Sequence, residues 1–223
     1  MKWVTITRLE VDQRNPNRVR VEFDGAKALK VPLSVAAALH VGQRLSADEL
    51  ARLREASTAQ RALDLALRYL AYRSRSTAEV VRYLREKGFP EHTVEHVTAW
   101  LTERGWLDDL AFARWWVENR TEHRPRGRLM LAAELRQKGV PDACIEEALA
   151  TLPDDEEELA RRAAERFVRR LASVRDRTVF VRRLSAHLAR RGFGWEVVRS
   201  VVEAMWAEHQ VNNGEARRHR DIR

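Results

Sequence analysis

The residues with the most chemical potential are arginines, and they are concentrated in one stretch. Residues 158–200 hold 12 Arg, no Lys and 4 acidic residues, whereas residues 1–157 balance 25 basic against 25 acidic and residues 201–223 balance four against four. This window therefore accounts for the whole formal charge of +8. A guanidinium offers a planar fork of donors that matches phosphate oxygens. Neutralising several phosphates releases counterions and makes association depend steeply on salt. Arg162, Arg166, Arg169 and Arg170 recur at the spacing of one helical face. Leu159, Ala163, Phe167 and Leu171 form the buried stripe of the same helix, expected from about 158 to 171. Arg182, Arg183, Arg190 and Arg191 belong to the next helix. A localised basic block favours a polyanionic partner, nucleic acid or an acidic protein surface, over a diffuse excess of charge. The competing reading is an Arg-rich face that is merely solvated. Nothing in the block suggests readout of base edges, so little sequence specificity is expected.

Other chemistry is weaker. Asp108-Asp109 could be a metal or acid–base pair, but Asp108 follows Gly105 and precedes the run Leu110, Ala113, Val117. That places it as a helix N-cap, with Asp109 favouring the first turn. His92-Thr93-Val94-Glu95-His96 fits the H-x-x-E-H pattern of a zinc protease class. Zinc would need a third ligand, and with Val94 and Val97 facing inward the two histidines point outward. Trp115 could stack on a base, while Trp116 reads as core. Cys144 aligns with Thr93 and Val197 and reads as a small packed residue. The acidic run Asp154–Glu158 suits the start of a helix. No phosphate loop, dinucleotide fingerprint or nucleophile elbow is present. Neither an enzyme nor a cofactor is expected.

Elements to position these residues can be read from periodicity. Residues 3–31 show strand patterning: Val19, Val21 and Phe23 alternate with Arg20 and Glu22, and Asn15-Pro16-Asn17 and Asp24-Gly25 mark turns. Leu33–Leu39 suggests a short helix, and Ser46 with Glu49 a capping box for a second. From residue 59 the period becomes helical: Leu63, Ala66, Leu67, Leu70 and Ala71 share one face. Ser76 and Glu79 form another capping box, Gly88 ends the helix that follows, and Pro90 opens the next.

The unit then recurs. Leu84-Arg85-Glu86-Lys87-Gly88-Phe89-Pro90 matches Leu135-Arg136-Gln137-Lys138-Gly139-Val140-Pro141 and, more loosely, Leu188-Ala189-Arg190-Arg191-Gly192-Phe193-Gly194. Val94, Ile145 and Val198 align, as do Leu101, Leu152 and Met205. The expected fold is mainly all-α: three tandem three-helix repeats (58–107, 108–153 and 154–209) forming an elongated body. A small N-terminal β-hairpin or α+β appendage (1–57) precedes them, and a disordered basic tail (210–223) follows. No stretch approaches the roughly 18 apolar residues of a membrane span, no signal peptide is visible, and one cysteine suits a reducing cytoplasm.

Three stretches carry a family resemblance: Ala71-Tyr72-Arg73-Ser74-Arg75-Ser76 with Glu79 ahead of Tyr83–Gly88; Gly105-Trp106-Leu107-Asp108-Asp109 with Phe112-Ala113 and Trp116; and Gly127 leading to Leu135-Arg136-Gln137-Lys138-Gly139-Val140. In this order they resemble the RecX regulatory family, closely over about 59–150 and more loosely over 158–206. The resemblance implies a modular helical protein that lodges in the groove of a RecA filament, contacts RecA and single-stranded (or double-stranded) DNA, and restrains filament growth, ATP hydrolysis and strand exchange without chemistry of its own. A monomer acting in recombinational repair is expected. The alternative is a stand-alone helical DNA-binding protein or transcription regulator, since a helix-turn-helix could sit within any three-helix unit.

Overall fold

The computed structural model describes residues 3–152 and 156–218. It divides into two compact units, residues 1–107 and 108–223.

The first unit begins with β1 (Val4–Val11), β2 (Arg18–Phe23) and β3 (Leu29–Pro32), then α1 (Leu33–Ala36) and the two-residue β4 (Arg44–Leu45). These strands make an antiparallel sheet of order β3-β2-β1-β4, four strands where a hairpin has two. Alternation does its expected work: Val19, Val21, Phe23 and Val31 are buried with Ile6 and Leu45.

Helix α2 (Ala47–Tyr72) starts at the Ser46–Glu49 capping box. It runs on without a break, so the boundary expected at 57/58 falls inside a continuous helix. The reason is that α2 serves two cores. Leu50 and Leu53 cover the sheet, while Ala62 and Ala66 belong to the first repeat. Polar ties fix the sheet to the middle of α2: Ser57 Oγ donates to the Lys30 carbonyl at 2.6 Å, and Arg18 pairs with Asp64. The appendage is thus built into the first repeat, which α3 (Thr77–Glu86) and α4 (Glu91–Glu103) complete.

The second unit holds α5 (Asp109–His123), α6 (Arg128–Gln137) and α7 (Asp142–Leu149), then α8 (Glu156–Arg169), α9 (Arg177–Ala189) and α10 (Trp195–Arg218). These two repeats share one hydrophobic core, from Phe112 and Leu131 to Leu184, Leu188 and Trp206. Asp154 and Asp155 of the acidic run lie outside the described residues; Glu156, Glu157 and Glu158 form the first turn of α8. The tail expected from 210 is helical through Arg218, and residues 219–223 lie outside the described residues.

The repeat is visible in individual hydrogen bonds. Phe89 N donates to Leu84 O, Val140 N to Leu135 O and Phe193 N to Leu188 O, at 3.3, 3.1 and 3.4 Å. Gly88, Gly139 and Gly192 sit between donor and acceptor at φ of 79°, 76° and 85°. This left-handed stop satisfies the last carbonyls of the second helix and turns the chain into the third. The aligned stripes behave alike: Val94, Ile145 and Val198 are buried, as are Leu101, Leu152 and Met205.

Candidate nucleic-acid interface

The arginine-rich surface lies within the second unit. Helix α8, which ends at Arg169 rather than 171, buries Leu159, Ala160, Ala163 and Ala164 with Phe167 partly covered and leaves Arg162, Arg166 and Arg169 exposed; Leu171, buried, and Arg170, exposed, follow in the turn after it. Opposite it, the segment joining α5 to α6 and the end of α9 complete a cleft of about 820 Å³. Arg124, Arg126, Arg162, Arg166, Arg190 and Arg191 line it, and among the described residues the lining carboxylates are Glu122 and Glu165.

Of the eight arginines singled out in the sequence, Arg162, Arg166, Arg190 and Arg191 therefore meet in one cleft. Arg170 does not line it, though its charge, after those of Arg191 and Arg190, reaches His187. Arg169, Arg182 and Arg183 are exposed and do not line the cleft. Arg161, beside Arg162, is committed elsewhere through a 2.6 Å pair with Glu208.

The walls are held by specific contacts. Arg162 Nη2 donates to the carbonyls of Thr121 and Glu122 at 3.2 and 3.3 Å, satisfying the C-terminal end of α5. Arg191 Nη1 donates to the Pro125 carbonyl at 3.2 Å. Glu134 is a hub: Trp116 Nε1 donates to it at 2.8 Å, Arg120 Nε donates at 3.0 Å, and Arg126 pairs with its other oxygen. Arg120 and Lys138 each lie over the Trp116 ring, at 4.3 and 4.4 Å from its centroid. So Trp116 anchors the wall, whereas Trp115 is 39 % exposed.

Field and burial act together here. Burial, and then the charge of Arg126, pull the Arg191 guanidinium below its ordinary range. His187 stacks on Phe167 with ring centroids 4.1 Å apart, and its buried Nε2 has no hydrogen-bond partner among the described residues. Burial first, then the charge of Arg191, push its imidazole below the usual value of 6.5.

Arg124 and Arg126 were missed because they lie outside the 158–200 window. A signal existed. Arg73-Ser74-Arg75-Ser76 and Arg124-Pro125-Arg126-Gly127 occupy equivalent places before the second helix of their repeats. In the first repeat both arginines are structural: Arg73 pairs with Glu79 at 2.9 Å, and Arg75 lies 3.9 Å over the Tyr69 ring. In the second they reach the cleft.

Asp108 Oδ1 accepts from the amides of Leu110 and Ala111, both at 2.9 Å, and caps α5. His92 and His96 are exposed on α4, while Thr93, Val94 and Val97 are buried. Cys144 packs against the core, and burial with nearby Asp109, Asp108 and Glu147 pushes its thiol up, away from thiolate. No helix among the described residues is long and apolar enough to cross a membrane.

Comparison with known proteins converges on one family. Residues 62–101, 108–149 and 154–202 match, in order, the first, second and third three-helix domains of RecX. The regulatory protein RecX of Chlorobaculum tepidum is 38% identical over 152 residues, 68% of this chain and 92% of that protein. The regulatory protein RecX of Geobacillus kaustophilus is 31% identical over 204 residues, 89% of this chain and 76% of that protein. A crystal structure of a regulatory protein RecX superposes with a TM-score of 0.75 at 27% identity, covering 90% of this chain and 99% of the other. The RecX of Lactobacillus salivarius shares the fold at 21% identity and a TM-score of 0.60, covering 66% and 96%. The chain belongs to the RecX family of regulatory proteins.

Proposed function

We propose that this protein regulates recombination by binding the RecA filament on single-stranded DNA and slowing its ATP turnover, growth and strand exchange. The observation that carries the reading is the cleft in which six arginines face two glutamates, in a chain of the RecX regulatory family. A surface of that kind recognises phosphate by charge and fork geometry, without reference to sequence. The mechanism is occupation rather than catalysis. Several weak contacts, to DNA phosphate through the cleft and to neighbouring protomers through the repeats, act together as one multivalent attachment. The action is expected in the cytoplasm, by a monomer that needs no cofactor.

Adding the pure protein to RecA on single-stranded DNA, and following ATP hydrolysis and strand exchange, tests the reading. Both rates should fall as the protein approaches the amount of RecA protomer. Unchanged rates at equal stoichiometry would refute it. A footprint on one defined duplex sequence, independent of RecA, would favour a stand-alone DNA-binding regulator instead.

A further inference from the structure

We propose that Arg126 and Arg191 form a two-armed clamp for one phosphodiester of an unpaired nucleic-acid strand, and that a glycine–glycine backbone contact sets its span. The proposal rests on reading the cleft as a DNA contact, and it names the ligand the cleft takes.

Each arginine is the chain neighbour of a glycine, Arg126 of Gly127 and Arg191 of Gly192. The two glycines come from different repeats and meet backbone to backbone. Gly127 N donates to the Arg191 carbonyl at 2.9 Å. A Cβ on Gly127 would stand 2.2 Å from Gly192 O and 2.5 Å from Phe193 N; one on Gly192 would stand 2.3 Å from Met130 N. These are main-chain atoms, which cannot swing aside as the end of a side chain can.

The contact also explains a break in the repeat. Helix α3 is capped by Ser76, but the equivalent position before α6 is Gly127, which has no side chain to cap with. Glu156 of the next repeat supplies an acceptor there, taking the Arg128 amide at 3.2 Å. A good cap has been given up for close approach, and the close approach brings two like charges together.

Those charges want an anion. Arg126 has Glu134, but among the described residues no carboxylate pairs with Arg191, whose guanidinium is partly buried and within the field of Arg126. Each uses only some of the five donors a guanidinium carries, so both forks keep N–H groups for a phosphate between them. The cleft, about 820 Å³ and open to solvent, has room for the backbone of one strand. A basic groove that follows the backbone is the usual basis of sequence-tolerant single-strand binding.

The test is fluorescence anisotropy with a labelled oligothymidylate of about 15 nucleotides, and with a duplex of the same length, on the full chain. Losing one charge-assisted phosphate contact should weaken binding about tenfold, so Arg126→Met and Arg191→Met should each do so. The double variant should lose little more than either single one, because one arm alone does not clamp. Arg126→Lys and Arg191→Lys, which keep charge and fold but not the fork, should fall between. Arg182→Met with Arg183→Met should bind nearly as the natural chain does, and the duplex should bind more weakly than the single strand.

Single variants that bind normally, losses that simply add, or a duplex preference would overturn the clamp. The proposed regulation of RecA could then still stand through other arginines. A natural chain that holds the oligonucleotide through this pair yet leaves RecA turnover unchanged would keep the clamp and remove the regulator reading.

Discussion

At the scale of single residues, glycines separate local conformation from packing. Gly88 and Gly192 both end a helix at positive φ, but nothing stands within 4 Å of a Cβ at Gly88, whereas Gly192 is closed off by Met130. Gly88→Ala should cost about 1 kcal/mol from the backbone alone. Gly192→Ala should cost that and a further ~1–3 kcal/mol for overpacking, both read by chemical denaturation. Gly127→Ser tests propensity against packing. Local rules say a restored cap stabilises; the 2.2 Å approach to Gly192 O says it destabilises, and destabilisation is the expected outcome. His187 gives a pH signature. Burial and Arg191 lower its folded pKa, so the unfolded chain protonates first as pH falls. The stability tied to the neutral ring is present above the ordinary 6.5 and declines as pH drops through it toward the folded value. Its ring protons, followed by NMR, should titrate below 6.5.

At the scale of elements, the three helix stops are one design used three times. Leu84, Leu135 and Leu188 occupy the same place in it, and each is fully buried. Truncating any of them to Ala should cost roughly 2–5 kcal/mol, as measured by denaturant midpoint. Very different penalties would argue against equivalence of the repeats. Most of this was legible in the sequence, because capping boxes, glycine stops and apolar stripes are local codes: Ser46, Ser76, Asp108, Gly88, Gly139 and Gly192 all do what their types and spacing indicate. What escaped was set by contacts distant along the chain. The unbroken α2 follows from one helix face serving two cores, which periodicity reads only as more helix. The fourth strand is two residues long, too short to alternate. Arg124 and Arg126 join the cleft through folding across about 65 residues of chain, a juxtaposition no helical spacing encodes.

At the scale of the molecule, each unit combines different tasks. In the first, a small sheet is bound to a three-helix repeat through Arg18–Asp64 and Ser57–Lys30. In the second, two repeats share a core and carry the arginine cleft. The charge sits where the chain has least acid to neutralise it, so binding to single-stranded DNA should weaken steeply with salt. Each phosphate contact removed should flatten the slope of log K against log salt by about 0.7, and replacing Arg162, Arg166 and Arg190 with Ala should do so measurably with helicity unchanged. The claim on which the rest depends is that this surface acts inside a recombination filament. Electron microscopy of RecA filaments on single-stranded DNA, with the protein added at equal stoichiometry, tests it most directly. The account predicts added density following the filament groove, with α8 and the end of α9 against the DNA backbone. Bare filaments, or density that leaves the arginine cleft turned to solvent, would contradict it.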